Sequence, residues 1–201
     1  MYQRPAADLR KPLFTLEGRG VFSHQTLILG IASPGRSDGD AGLRALQAFR
    51  RFHPGLPGVT CIDFDGPFRT LVEPMAGARH LIVFDVAQFG ASPGTIRCLV
   101  GPEMDEYLQR ADLSATETAL ARLLDTVRIH GTGPIRRALI GIQDDCSDNG
   151  AVNAVSGALP WAAALARELV ERWNNEKDPE TVAPRPGRTK PSISRSDDRQ
   201  T

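Results

Sequence analysis

Apolar and polar positions along the chain fall into blocks that switch between the strand period and the helix period. Thr26 to Leu29 is a short β-branched and aliphatic run ending at Gly30, and a loop rich in Gly, Ser and Asp leads from it into a helical pattern from about Asp40. Leu43, Leu46 and Phe49 then recur at helical spacing with Arg44, Gln47, Arg50 and Arg51 between them, until Pro54-Gly55 and Pro57-Gly58 end the helix. Val59 to Phe64 reads as a strand. The stretch 66 to 79 is weaker, because Glu73-Pro74 interrupts any helix there. His80 to Val86 (HLIVFDV) is the clearest central strand, an apolar run carrying one acid, Asp85, near its C-terminal end. Gly90 to Gly94 (GASPG) is a tight connection, and Thr95 to Val100 reads as a strand returning beside its predecessor.

Ser114 with Glu117 three residues later forms a capping box, and Leu120, Leu123, Leu124 and Val127 give the helix that follows one apolar face. Gly131 to Pro134 breaks it, and Arg137 to Ile142 gives another strand. Gln143 to Gly150 reads as a solvated loop: its DDCSDNG run lacks the downstream Glu of a calcium loop. Leu159 to Trp173 is the last amphipathic helix, with Pro160 in its first turn and Trp161, Leu165 and Leu169 as core contacts. Strands near 26, 59, 81, 95 and 137 alternate with helices near 40, 114 and 159 as in an α/β sandwich occupying residues 23–175. Residues 1–22 read as a flexible leader, and 176–201, nearly devoid of apolar residues, as a disordered polar tail.

Composition narrows the function classes. At 201 residues the chain suffices for one domain with an aliphatic core. Lys+Arg and Asp+Glu both number 24, so no overall field draws nucleic acid or an anionic membrane. Cys61, Cys98 and Cys146 form no CxxC pair and no secreted disulfide framework, and no run approaches the roughly 20 apolar residues of a membrane span, so the protein reads as cytoplasmic.

Candidate chemistry gathers on acids at strand ends. In an open α/β sheet ligands bind outside the carboxyl ends of the strands, which is where Asp38 and Asp40 follow the first strand and Asp85 the central one. Asp40 reads equally as an N-cap whose carboxylate accepts backbone N–H groups. Asp85 either satisfies loop amides or holds a metal or substrate, since a carboxylate at the end of a buried strand is costly without a partner. No His joins it. His130 lies at the far end of the capped helix, roughly 21 Å from its start at 1.5 Å per residue, and His80 precedes Asp85 by about 16 Å of strand. His24 and His53 lie equally far off, so all four read as structural or surface residues.

Four blocks of the chain together resemble the nickel-iron hydrogenase maturation endopeptidases. GIASPGRSDGDAGLR is similar to the family's first motif, G-x-G-N-P-x-x-x-D-D-G-x-G; LIVFDVAQFGASPGTIRCL to its second block, a strand ending in Asp; LSATETALARLLDTVRIHG to the third, where Ser-x-His opens a helix; and ALIGIQ with ALPWAAALARELVERW to the last strand and helix. The resemblance implies a three-layer α/β/α sandwich with a mostly parallel, five-stranded mixed sheet, and a cytoplasmic monomer. It also implies an activity: removal of a short C-terminal peptide from the hydrogenase large-subunit precursor after nickel insertion. The nickel belongs to that client, is held by two carboxylates and a histidine, and leaves the protein without a cofactor or an identified catalytic nucleophile of its own. Carried over, Asp85 matches the second-block acid and Asp38 the first Asp of D-D-G. Gly39 stands at the next acid, displaced to Asp40, and Thr116 stands where the family has His, with Glu117 beside it as a substitute ligand. Carboxylate with a neutral hydroxyl suits nickel less well than carboxylate with imidazole, so two alternatives stay open beside the peptidase. One is a catalytically inactive relative serving as an assembly factor. The other is a small-molecule-binding α/β module, although the first loop lacks both the phosphate-cradle and the dinucleotide glycine patterns.

Overall fold

The computed structural model describes residues 24–33, 39–144 and 152–176. Along the chain run β1 (His24–Ile31), α1 (Ala41–Phe52), β2 (Val59–Phe64), a 3-10 turn (Phe68–Leu71), α2 (Val72–Ala76), β3 (Ala78–Ala87), β4 (Ile96–Val100), α3 (Pro102–Tyr107), α4 (Ala115–Ile129), β5 (Arg136–Gln143) and α5 (Val152–Asn175). The five strands form one sheet in the order β2-β1-β3-β5-β4. All pairings are parallel except β4 with β5. This is the mixed α/β/α sandwich that the alternation of elements predicts. The leader, the tail beyond Glu176 and Asp38 lie outside the described residues, as do Cys146 and the rest of 145–151.

The central strands are mostly apolar because helices cover both faces. Successive side chains point to opposite sides, so Ile28, Ile82, Phe84, Val86, Ile140 and Ile142 share a core with α1 and α5. Leu27, Leu29, Leu81, Val83 and Leu139 face α2, α3 and α4 on the other side. The helix beginning at Ala115 is capped as its sequence predicts, with Ser114 Oγ accepting the Glu117 N–H and the Glu117 carboxylate accepting the Ser114 N–H. Its predicted apolar face, Leu120, Leu123, Leu124 and Val127, is fully used in the core.

Four expectations are corrected. β4 lies beside β5, not β3, with Ile96 opposite Ile142, because β5 already occupies that side of β3. Pro74 does not prevent a helix, since it sits in the first turn of the short α2, where backbone N–H groups have no intrahelical acceptor. Pro102-Glu103-Met104 starts α3, an element the apolar pattern did not show, with Pro in the first turn after Gly101 at φ +57°. The last helix begins at Val152, so Pro160 lies inside it. In that register Val155, Ala158, Leu159, Ala162, Ala163, Ala166, Leu169, Val170 and Trp173 face the core. Trp161 therefore turns outward at 71% exposure whereas Trp173 is 4% exposed.

The first turn of α1 rests directly on the carboxyl ends of the strands. A Cβ on Gly42 would approach Ile31 O to 2.4 Å and Phe84 O to 2.5 Å, and one on Gly30 would meet Gly42 O at 2.7 Å. Only glycine permits this approach, which seats the segment after residue 38 against the rim. Gly42→Ala is expected to cost about 1–3 kcal/mol of stability, as overpacking generally does; an unchanged urea midpoint would show that α1 sits less tightly.

Candidate functional site

The carboxyl rim is built around Asp85. By strand alternation it shares a face with Leu81, Val83 and Ala87, the side covered by α4, and it is 0% exposed. Its Oδ1 accepts the Ser33 hydroxyl at 2.7 Å and the Val86 N–H at 2.7 Å. Ser33 lies just past the end of β1, and its own N–H donates to Gly39 O at 2.7 Å. One serine thereby closes the segment between residues 33 and 39 and ties it to the central-strand acid.

The remaining predicted site residues are placed differently. Asp40 occupies the N-cap position of α1, yet its side chain makes no cap hydrogen bond, which corrects the capping reading. Its backbone is in the αR region (φ −92°, ψ 0°), not the extended conformation that turns an N-cap side chain onto the first turn. The exposed Asp40 carboxylate instead lies 3.7 Å from Arg44, which also donates to Ser156 Oγ at 2.5 Å. Gly39 contributes its carbonyl to Ser33. Thr116 is half-buried in the first turn of α4. Glu117 beside it is 2% exposed, and both its oxygens accept hydrogen bonds: Oε2 from Ser114 N–H at 2.7 Å, Oε1 from the Tyr107 hydroxyl. Among the described residues no three His, Cys, Asp or Glu side chains converge as metal ligands.

Two groups at the rim escaped the sequence reading. Gln143 and Asp144 are buried, which corrects the solvated-loop expectation at its first two positions. Gln143 Oε1 accepts the N–H groups of Phe89 at 2.7 Å and Ala91 at 3.4 Å, while its Nε2 donates to Gln88 Oε1 at 2.8 Å and to Asp144 O at 3.1 Å. Gln88 in turn donates to the Asp144 carboxylate. This network clamps the chain where it leaves β3 and crosses the end of β5 to reach β4. The only signal for it was position: two polar residues directly following a buried parallel strand.

His80 is buried, with Nδ1 3.3 Å from Thr26 Oγ1 and its ring edge-on to Trp173; His53 and His130 sit at the C-caps of α1 and α4. Burial pushes the Cys61 and Cys98 thiols up, so neither is primed as a thiolate nucleophile.

Tyr107 is strongly perturbed: burial first, and then its bond to Glu117, hold the phenol well above its ordinary pKa of 10. A phenol whose folded pKa is raised contributes stability that is complete below the unfolded pKa and is lost as pH rises above it. Stability is therefore expected to decline above about pH 10, and Tyr107→Phe should remove that component while costing about 1–3 kcal/mol at neutral pH by leaving a buried Glu117 oxygen unsatisfied. Denaturant titrations from pH 7 to 11 check both. Parallel pH profiles for the two proteins would refute the assignment.

Comparison with known proteins agrees with this architecture. The family model described as hydrogenase maturation protease matches residues 47–168, a span that contains Asp85, Thr116 and Glu117. The hydrogenase expression/formation protein HupD of Rhizobium leguminosarum bv. viciae is 30% identical over 150 residues, covering 73% of this chain and 74% of its own. HoxM of Cupriavidus necator is 24% identical over 157 residues, covering 77% and 78%. Among solved structures, the hydrogenase maturating endopeptidase HybD from E. coli superposes with a TM-score of 0.63 at 22% identity, covering 74% of this chain and 93% of that one. The maturation protease HybD from Thermococcus kodakarensis gives 0.58 at 20% identity, covering 72% and 98%. The shared fold, the matched span and the 30% identity to HupD together establish that this chain belongs to the hydrogenase maturation protease family.

Proposed function

We propose that this protein acts on the large-subunit precursor of a nickel-iron hydrogenase and removes its C-terminal extension after nickel insertion. Asp85 and an acid of the first loop, Asp38 or Asp40, would grip the client's nickel. The observation that carries the reading is Asp85 itself: an ionisable side chain with no exposed surface at the C-terminal end of the central parallel strand, which by the resemblance would be the family's second-block acid. A carboxylate is expensive in that position, and its Oδ1 is oriented by Ser33 and by the backbone. Cleavage in this scheme needs no nucleophile and no cofactor from the protein, because the metal is the client's cargo. The protein would work as a cytoplasmic monomer; no helix among the described residues is long and apolar enough to cross a membrane.

A second reading has its own observation. Both Glu117 oxygens are committed and Asp40 pairs with Arg44, and by the resemblance Gly39 and Thr116 would stand where the family has ligands. That donor set suits an assembly factor that binds the precursor without cutting it.

Intact-mass measurement of the large subunit separates the two. Asp85→Asn preserves the acceptor for Ser33 but removes the charge, so the peptidase reading expects the long precursor to accumulate both in the deletion strain and with Asp85→Asn. Accumulation in the deletion alone points to the assembly factor, and a normally shortened subunit in both strains removes the processing role. Restoring the family pattern with Gly39→Asp and Thr116→His is expected to tighten Ni2+ binding by calorimetry at least about tenfold, since imidazole with carboxylate suits that ion. Unchanged affinity would show that positions 39 and 116 do not face the metal.

A further inference from the structure

The sheet has two edges, and they are finished differently. Along β2 the alternate carbonyls at Gly58 and Phe64 face β1, where they accept the N–H groups of Thr26 and Ala32, so the Cys61 carbonyl points outward. Arg50 covers it, donating to Cys61 O at 2.9 Å and pairing with Asp63 at 2.5 Å. A charged side chain over an outward carbonyl is a usual guard against strand addition.

At β4 the ladder contacts run from Thr95 O, which accepts Gln143 N–H, to Gly101 N–H, which donates to Arg137 O. With Ile96 opposite Ile142 and Val100 opposite Ala138, the odd positions therefore bond to β5, and Ile96, Cys98 and Val100 turn their N–H and C=O groups away from the sheet. The outward Val100 N–H reaches the Glu103 carboxylate at 3.5 Å. No described residue bonds to the outward backbone groups of Ile96 or Cys98.

The odd side chains face the other way, onto the same side of the sheet as Asp85. The register aligns Asp85, Gly141 and Arg97 across three strands, which places the Arg97 Cα about 9–10 Å from that of Asp85, at two strand spacings. The Phe89 ring lies over Gly141 between them, where a Cβ would come within 2.5 Å of it. Arg97 stacks on that ring at 5.0 Å from its centroid, is exposed, and has no ion pair among the described residues. Arg97 and Leu99 open onto a cleft of about 420 Å³, whose other walls are Phe89, Tyr107 and Arg110, with Glu103 and Glu106 on the α3 side.

We infer that the free edge of β4 receives an extended segment of the hydrogenase precursor as a sixth strand, with an acidic side chain of that segment seated on Arg97. This rests on the functional reading above and gives the client a specific seat. Backbone bonding to Ile96 and Cys98 is independent of sequence, and the alternate side chains of the added strand would point over the cleft, which supplies selectivity. The Arg97 guanidinium, stacked on an aromatic face with no ion pair among the described residues, selects a carboxylate there. The added strand would lie about 14 Å from Asp85, three strand spacings away on the same face.

Hydrogen exchange on the full chain, with purified nickel-iron hydrogenase large-subunit precursor as the probe, tests this. The amides of Ile96 and Cys98 are expected to slow at least about tenfold when precursor is added, while those of β2 do not change. Arg97→Glu, at an exposed position, is expected to raise the Kd for precursor at least about tenfold (~1.4 kcal/mol) with an unaltered melting temperature, and an acid-to-lysine change in the precursor segment should restore binding. A precursor that binds or is shortened without protection at 96 and 98, or that binds Arg97→Glu normally, overturns the strand addition and leaves the proposed function standing. Protection that grows with protein concentration in the absence of precursor assigns the edge to a second copy and likewise overturns it. A precursor that neither binds nor is shortened overturns the functional reading and this one together.

Discussion

A carboxylate cannot sit in the middle of an apolar parallel sheet unless hydrogen bonds replace the water it has lost, and much of the rim's organisation follows from meeting that requirement at Asp85. Ser33 meets part of it from the end of β1, and the Val86 N–H meets part from β3 itself. Because Ser33 also donates its N–H to Gly39 O, the same residue fixes both sides of the first loop. The close seating of Gly42 on Ile31 and Phe84 then delivers α1 to the rim. Acid, serine and glycine form one constraint: the loop after β1 can approach the central strand only because Gly42 has no side chain to hold it off.

The second organising feature is the way the chain leaves β3. Since β5 occupies the neighbouring position in the sheet, residues 88–95 must cross over its end, and a crossing of that kind leaves backbone N–H groups with no strand to bond to. The Gln143 side chain accepts two of them. This detour has a further effect, since it folds the Phe89 ring back over Gly141 and leaves β4 as an edge strand whose outward groups at Ile96 and Cys98 meet no partner among the described residues. The same solution that completes the sheet therefore prepares the surface beside the Asp85 face.

Much of this was legible from residues close together in sequence. The capping box at Ser114 and Glu117, the apolar face of α4, and the apolar stretch around Asp85 each lie within a turn or a strand, and each took the form its pattern dictates. The family resemblance rested on the same local blocks and matched the family found by comparison. The site was legible only in outline. Asp85 was recognisable as an acid on a buried strand, but the use of Glu117 depends on Tyr107, ten residues earlier on α3, and the pairing of Asp40 depends on which way its backbone turns.

Sequence by itself determined the number of strands and their succession along the chain, the alternating α/β class, the principal helix and its cap, and the burial of the central acid, because period, propensity and capping act over a few neighbouring residues. Tertiary structure decided that β4 lies against β5, that α5 buries Trp173 and exposes Trp161, and that Gln143 and Asp144 lie in a buried network. It also decided which sheet edge stays open among the described residues. Each of those outcomes turns on contacts between segments tens of residues apart, and local pattern carries no information about which of several compatible surfaces a segment will meet.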